Sequence, residues 1–176
     1  MEKMNSVVAV YGTHPQAEDA LRAFQSSGFD MKNLSIVGKD YHTEEHVVGF
    51  YNIGDRMKVW GKRGAFWGGF WGILFGSALF LIPGFGHIMV LGPLVGWIVG
   101  ALGEAAVIGG LSALGAGLYS IGIPKDSILK YETAVKADQF VVVAHGTVDD
   151  VDTAKGILDR TGAISVDTHF VSAAGR

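Results

Sequence analysis

VVAVYGTHPQAEDALRAFQSSGF, residues 7–29, and VVVAHGTVDDVDTAKGILDRTGA, residues 141–163, decide the fold, because they are two copies of one pattern. Setting Gly12 on Gly146 aligns Thr13 with Thr147, Ala17 with Val151, Ala20 with Ala154, Phe24 with Leu158 and Gly28 with Gly162, without a gap. Each copy opens with an apolar strand that ends in Gly-Thr. The threonine suits an N-cap, and Gln16 or Asp150 three residues later gives a capping-box pattern. Apolar residues three and four apart then mark a helix, and the glycine after it suits a left-handed C-cap. A second short strand follows in each copy, Leu34 to Gly38 and Ile164 to Phe170. Two such halves predict an α+β, ferredoxin-like (split β-α-β) domain, with one helix per half covering one face of a four-stranded antiparallel sheet.

Working outward, the two halves are far apart in the chain. A long insertion stands where a ferredoxin-like domain has a hairpin, so the expected layout is a first half over 1–53, an apolar segment over 54–124 and a second half over 125–176. The insertion begins with a possible short strand, His46 to Tyr51, and the stretch GDRMKVWGKRG. Gly64 to Gly122 then holds a single charged residue, Glu104, and 16 of the 26 glycines. The block splits at Pro83–Gly86. A helix needs about 20 residues to cross a bilayer; Gly64 to Ile82 and Pro93 to Ile121 are each long enough, so the reading is a transmembrane helical hairpin. Both ends of the insertion join one domain, which requires an even number of crossings. Lys58, Lys62, Arg63 and Lys125 flank those ends, while the connecting loop with His87 has no Lys or Arg, which places both termini in the cytoplasm. Trp60, Lys62, Arg63, Trp67 and Trp71 are the expected interface anchors. A last amphipathic helix, roughly Lys125 to Asp138, has Ile128, Tyr131 and Val135 on one face.

Glycine falls on a period within the block. Gly64, Gly68, Gly72 and Gly76 recur every four residues, as do Gly92, Gly96 and Gly100, followed by Gly103. Four-residue spacing puts them on one helix face, where another backbone can approach closely. Glycine costs about 1 kcal/mol against alanine inside a helix, so the period predicts a glycine zipper. Two strips per chain imply a homo-oligomer, one strip used within the hairpin and one outside it. Trp67, Trp71 and Phe75 lie opposite the first strip, which gives that helix a wedge-shaped section.

Few residues suggest a reaction. With no cysteine, disulfides, thiol catalysis and cysteine-ligated metals are excluded. A net charge of −3 gives no basic footprint for nucleic acid. His42 and His46 sit four apart in HTEEH, but Thr43 occupies the position where the zinc-protease motif has its glutamate, so they are weak metal candidates. No P-loop, nucleophile elbow or kinase signature occurs, and no catalytic residue or cofactor is assigned. Glu104 would lie near mid-membrane, where an acid is a candidate for ion movement or helix pairing.

NLSIVGKDYHTEEHVVGFYN, GDRMKVWGKRGAFWGGFWGILFGSALFLIPGFG, GPLVGWIVGALGEAAVIGGLSALGAGLYSIGIPKDSILKYETAVKAD and FVVVAHGT resemble a bacterial family of small membrane proteins with a general stress protein 17M-like domain. The resemblance covers nearly the whole chain. It implies a bacterial, stress-associated, non-enzymatic protein at the inner membrane, and it brings no catalytic residues to transfer. The layout is also similar to a membrane subunit of alternative complex III, in architecture alone. The expected function is therefore an oligomeric, membrane-associated structural protein of the stress response, with a lipid bilayer and further copies of itself as partners. The alternatives are a channel or carrier using Glu104, a ligand-sensing or accessory subunit anchored by the hairpin, and a soluble assembly whose hairpins bury one another.

Overall fold

The computed structural model describes residues 4–39, 77–82, 86–101 and 112–171. Their elements, in chain order, are β1 (Asn5–Tyr11), α1 (His14–Ser26), a 3-10 turn (Met31–Asn33), β2 (Leu34–Lys39), β3 (Ser77–Ile82), β4 (Gly86–Leu91), α2 (Leu94–Ala101), α3 (Ala113–Ser120), α4 (Lys125–Lys136), β5 (Phe140–Gly146), α5 (Val148–Leu158) and β6 (Ser165–His169). The strands form one antiparallel sheet in the order β3-β4-β2-β5-β1-β6. The four strands of the repeat therefore lie together as β2-β5-β1-β6, and each half contributes an inner and an outer strand of that group.

Both faces of this sheet are covered, which makes the fold α+β in three layers. Val7, Ala9, Tyr11, Val142 and Ala144 pack on one face with Leu21 and Phe24 of α1 and Val151 and Leu158 of α5. Val8, Val10, Val141 and Val143 pack on the other with Leu94 and Ile98 of α2, Leu114 and Leu118 of α3, and Ile128, Tyr131 and Val135 of α4. Burial on both faces explains why β1 and β5 read as unbroken apolar runs instead of alternating ones. The predicted face of the last helix, Ile128, Tyr131 and Val135, is the one that is buried.

At its described residues the apolar block departs from the predicted helical hairpin. Residues 77–82 and 86–91 are strands paired from Ser77↔Leu91 to Ile82↔Gly86, and β4 continues onto β2 from Ile36↔Leu91 to Lys39↔Ile88. His87 therefore lies in β4 and not in a loop. The run read as one crossing from Pro93 to Ile121 contains two eight-residue helices, α2 and α3. α3, which starts after its N-cap Ser112, is about 12 Å long at 1.5 Å per residue, against roughly 30 Å of hydrocarbon. Among the described residues no helix is long and apolar enough to cross a membrane. Burial between layers selects the same residues as lipid does. A low charge count does not separate a helix sealed against a sheet from one sealed in a bilayer. From within the segment 54–124, β3, β4, α2 and α3 build onto the sheet and its second core.

Glycine allows close packing at Gly117 and at Gly92, the first member of the second expected strip. A Cβ on Gly117 of α3 would lie 2.6 Å from Ile98 Cγ1 and 3.2 Å from the Ile98 backbone, so this is where α3 and α2 meet. Gly96 would meet nothing within 4 Å. Gly92 is in the turn before α2, at φ +94°, where a Cβ would collide with the Leu34 carbonyl oxygen at 2.2 Å. That turn is further held by Ser35 of β2, whose hydroxyl accepts from the Leu94 N–H at 3.0 Å and so caps α2.

Candidate functional site

Most of the residues singled out in the sequence lie outside the described residues: His42, His46, Trp60, Lys62, Arg63, Gly64, Trp67, Gly68, Trp71, Gly72, Gly76, Gly103 and Glu104. Gly92, Gly96 and Gly100 are described. The first is buried in its turn, and the other two are exposed on α2. Among the described residues no group of three or more His, Cys, Asp or Glu is placed to hold a metal ion.

The polar chemistry that the fold does assemble lies at one end of the sheet, on the α2–α4 side. Ser6 of β1 is directly opposite His145 of β5 and, on its other flank, directly opposite His169 of β6. Ser6 is two residues from Val8 and His145 two from Val143, so both share the face of that second core. Opposed residues on an antiparallel pair have Cβ atoms about 4.5–5.5 Å apart. The three side chains therefore form one row across β5, β1 and β6.

Helices close over the row at both ends. Trp97 of α2 stands edge-on to the His145 ring, with centroids 4.6 Å apart at 80°. Tyr131 of α4 has its hydroxyl 2.7 Å from His169 Nε2. Burial, helped by the Asp167 carboxylate, pushes the Tyr131 phenol well above its ordinary pKa. It stays protonated, so we assign it as the donor and Nε2 as the acceptor, which leaves the imidazole proton on Nδ1. Burial also lowers the pKa of His169; Lys130 adds to that, and Asp167 opposes it. Lys130 and Asp167 form an ion pair beside it.

Ser6 and His145 are the anomaly of this site. Ser6 is 0% exposed and His145 6%, yet Ser6 Oγ and His145 Nδ1 have no hydrogen-bond partner. Burial drives the His145 pKa down to about 4, against smaller upward effects of the Asn33 backbone and the Asp150 carboxylate. A serine flanked by imidazoles has the outline of a nucleophile and base. However, a hydroxyl sealed from solvent cannot meet a substrate in this conformation, and an imidazole with so low a pKa is a weak base. What the pair offers is a buried polar spot with unspent hydrogen-bonding capacity.

Neither histidine was a candidate in the sequence reading. The signal that could have found them is a polar residue at an inward position of an apolar strand. The repeat hid it. It sets His145 against Tyr11, but Tyr11 points into the first core and His145 into the second. The halves match in phase through their helices and out of phase by one residue in their strands. Gly146 has φ +153°, while Gly12 has no positive φ, so the chain leaves the two strands differently.

No curated protein and no solved structure matches this chain. The family comparison does give a match. It begins in β1, takes in α1 and β2, and stops within β3, leaving the second half of the repeat outside it. Over residues 6–80, less than half of its length, the chain matches the family model of the Heat induced stress protein YflT domain.

Proposed function

We propose that this protein is a non-enzymatic component of the bacterial stress response, a self-associating protein that works at the inner surface of the membrane. Its body would be a ferredoxin-like domain formed by β1, α1, β2, β5, α5 and β6. The strand order β2-β5-β1-β6 supports that description. The observation that carries the membrane reading is α2. Its sequence, LVGWIVGA, has no charged or hydrogen-bonding residue apart from the indole of Trp97. Leu94, Ile98 and Ala101 are buried on the sheet, yet Val99 is 56% exposed and Gly96 and Gly100 are also exposed. A helix that is apolar all round is normally covered all round. The sequence before β3, with Lys58, Trp60, Lys62, Arg63, Trp67 and Trp71, mixes cations and aromatic rings in the way of a bilayer-interface segment. Contact of this kind lies along the bilayer surface and needs no crossing.

Flotation of the purified full chain with vesicles tests this. Co-flotation with vesicles containing anionic lipid, reduced when Lys62 and Arg63 are both changed to Glu, is the expected result. A chain that stays at the bottom of the gradient with every vesicle composition, and remains soluble after cell fractionation, would refute it. A second reading is favoured by the Ser6–His145 pair. In it the domain senses a small polar molecule that satisfies both groups, and the apolar segment only anchors it.

A further inference from the structure

We propose that β6 is a self-recognition edge, through which two copies of this chain pair in antiparallel register about Thr168. The proposal rests on the self-association part of the reading above and is independent of the membrane part. β6 is the last strand in the sheet order, bonded to β1 on one side, and among the described residues no strand pairs with the main-chain groups on its other side. Such a row is a template for another strand. Immediately after it, Phe170 is 50% exposed and Val171 36% exposed.

The register follows from the sequence of the edge. A two-fold axis perpendicular to the sheet must keep opposed residues on the same face. It therefore passes through a residue position and not between two. An axis at Asp167 would set two carboxylates against each other, which is destabilising. An axis at Thr168 sets Asp167 opposite His169 of the second copy, Val166 opposite its Phe170, and Thr168 opposite its Thr168. The first two contacts occur twice and the Thr168 pair once, on the axis. The charge pair is opposite in sign when the imidazole is protonated and hydrogen-bonding when it is neutral; the apolar pair covers the exposed phenyl ring. Lys130, already paired with Asp167, lies on the same side and offsets the added carboxylate. A single short strand buries less than the roughly 800 Å² per partner of a standard interface, so the dimer is reversible.

The chain has no cysteine, so one introduced thiol reports the register cleanly. Opposed Cα atoms in an antiparallel pair are about 4.5–5.5 Å apart, within disulfide range. Mild oxidation of the full-length Thr168→Cys variant is expected to give a covalent dimer. Asp167→Cys, one register step away, and Asp152→Cys, exposed on α5, are expected to remain largely monomeric. Phe170→Glu added to Thr168→Cys should slow cross-linking about tenfold, and alone should weaken self-association by a similar factor in sedimentation equilibrium. Val171→Glu serves as the second variant if Phe170→Glu loses its native circular dichroism. Cross-linking of Thr168→Cys no faster than Asp152→Cys would overturn the proposal, as would wild-type self-association that Phe170→Glu and Val171→Glu leave unchanged. If Thr168→Cys links while the chain ignores vesicles, the membrane reading fails and the edge stands.

Discussion

His145 should make the fold acid-sensitive, and its contribution can be isolated. Its imidazole is 6% exposed, packed edge-on to Trp97, with Nδ1 unpartnered, and burial takes its pKa from 6.5 to about 4. In the unfolded chain the imidazole takes a proton near pH 6.5, while in the folded chain it stays neutral until about pH 4. Between those values the unfolded state binds more protons, so stability falls as pH falls, by about 1.4 kcal/mol per unit. Stability from this group is complete above pH 6.5 and is lost by about pH 4, for a total of about 3 kcal/mol. Replacing the ring by one that cannot titrate removes the effect. His145→Phe keeps an aromatic edge contact with Trp97 and gives up the ring's hydrogen bond with the Asn33 backbone, a cost that does not vary with pH while the folded imidazole is neutral. Urea denaturation of both proteins at pH 7, 6, 5 and 4.5 should therefore give stability curves that converge or cross as the pH drops, with the variant gaining on the wild type by about 2 to 3 kcal/mol. The other titrating groups are common to both chains and cancel in the difference. A stability difference that stays constant with pH would refute the argument, as would an NMR titration placing the His145 pKa near 6.5.

Three other expectations concern a hydrogen bond, two glycines and two helix caps. Tyr131→Phe removes the hydroxyl on His169 Nε2 and should cost about 1 kcal/mol in chemical denaturation, with the His169 NMR titration shifting in the same variant. Gly117→Ala should destabilise by about 1–3 kcal/mol, because its methyl group meets Ile98 side chain and backbone, whereas Gly96→Ala should be neutral or add up to about 1 kcal/mol, since that site is open. Loss of stability in Gly96→Ala would return the four-residue strip to a packing role. Thr147→Ala should cost about 1 kcal/mol, because Thr147 and Asp150 form a capping box, while Thr13→Ala should cost much less, since Thr13 makes no side-chain cap bond. Thermal denaturation of the two alanine variants side by side checks that asymmetry.

That asymmetry also marks how far the repeat could be read. The helices of the two halves, both outer strands and the buried face of α4 were legible, because each rests on local rules: an N-cap, a period of three to four, a stop residue. The same rules gave equal weight to Thr13 and Thr147, yet Pro15 at the start of α1 accompanies a helix with no side-chain cap bond, and Thr147 has the full box. The Ser6–His145–His169 row was not legible. It depends on which face each strand turns inward and on β1 lying between β5 and β6, and neither is a local property. His145 and Ser6 are far apart in the chain and become neighbours only through the register.

The apolar block shows where composition stops deciding between structures. SALFLI and GHIMVL, strands β3 and β4, fall within a stretch whose glycine period and lack of charge favour helices. The two glycine strips of the sequence, Gly64 to Gly76 and Gly92 to Gly103, stand on either side of these two strands. Strand pairing of β4 with both β3 and β2 satisfies the main-chain groups of β4 and of the facing side of β3, which a bilayer would otherwise require a helix to satisfy internally. Once β4 is committed to the sheet, Gly92 must turn the chain sharply against Leu34, and α2 can only start on top of β2, with its N-terminus on Ser35. The inner face of α2 is then fixed by the sheet and its outer face is left apolar. The signal that first suggested a membrane crossing therefore survives on one exposed face, around Val99, where vesicle binding can be measured directly.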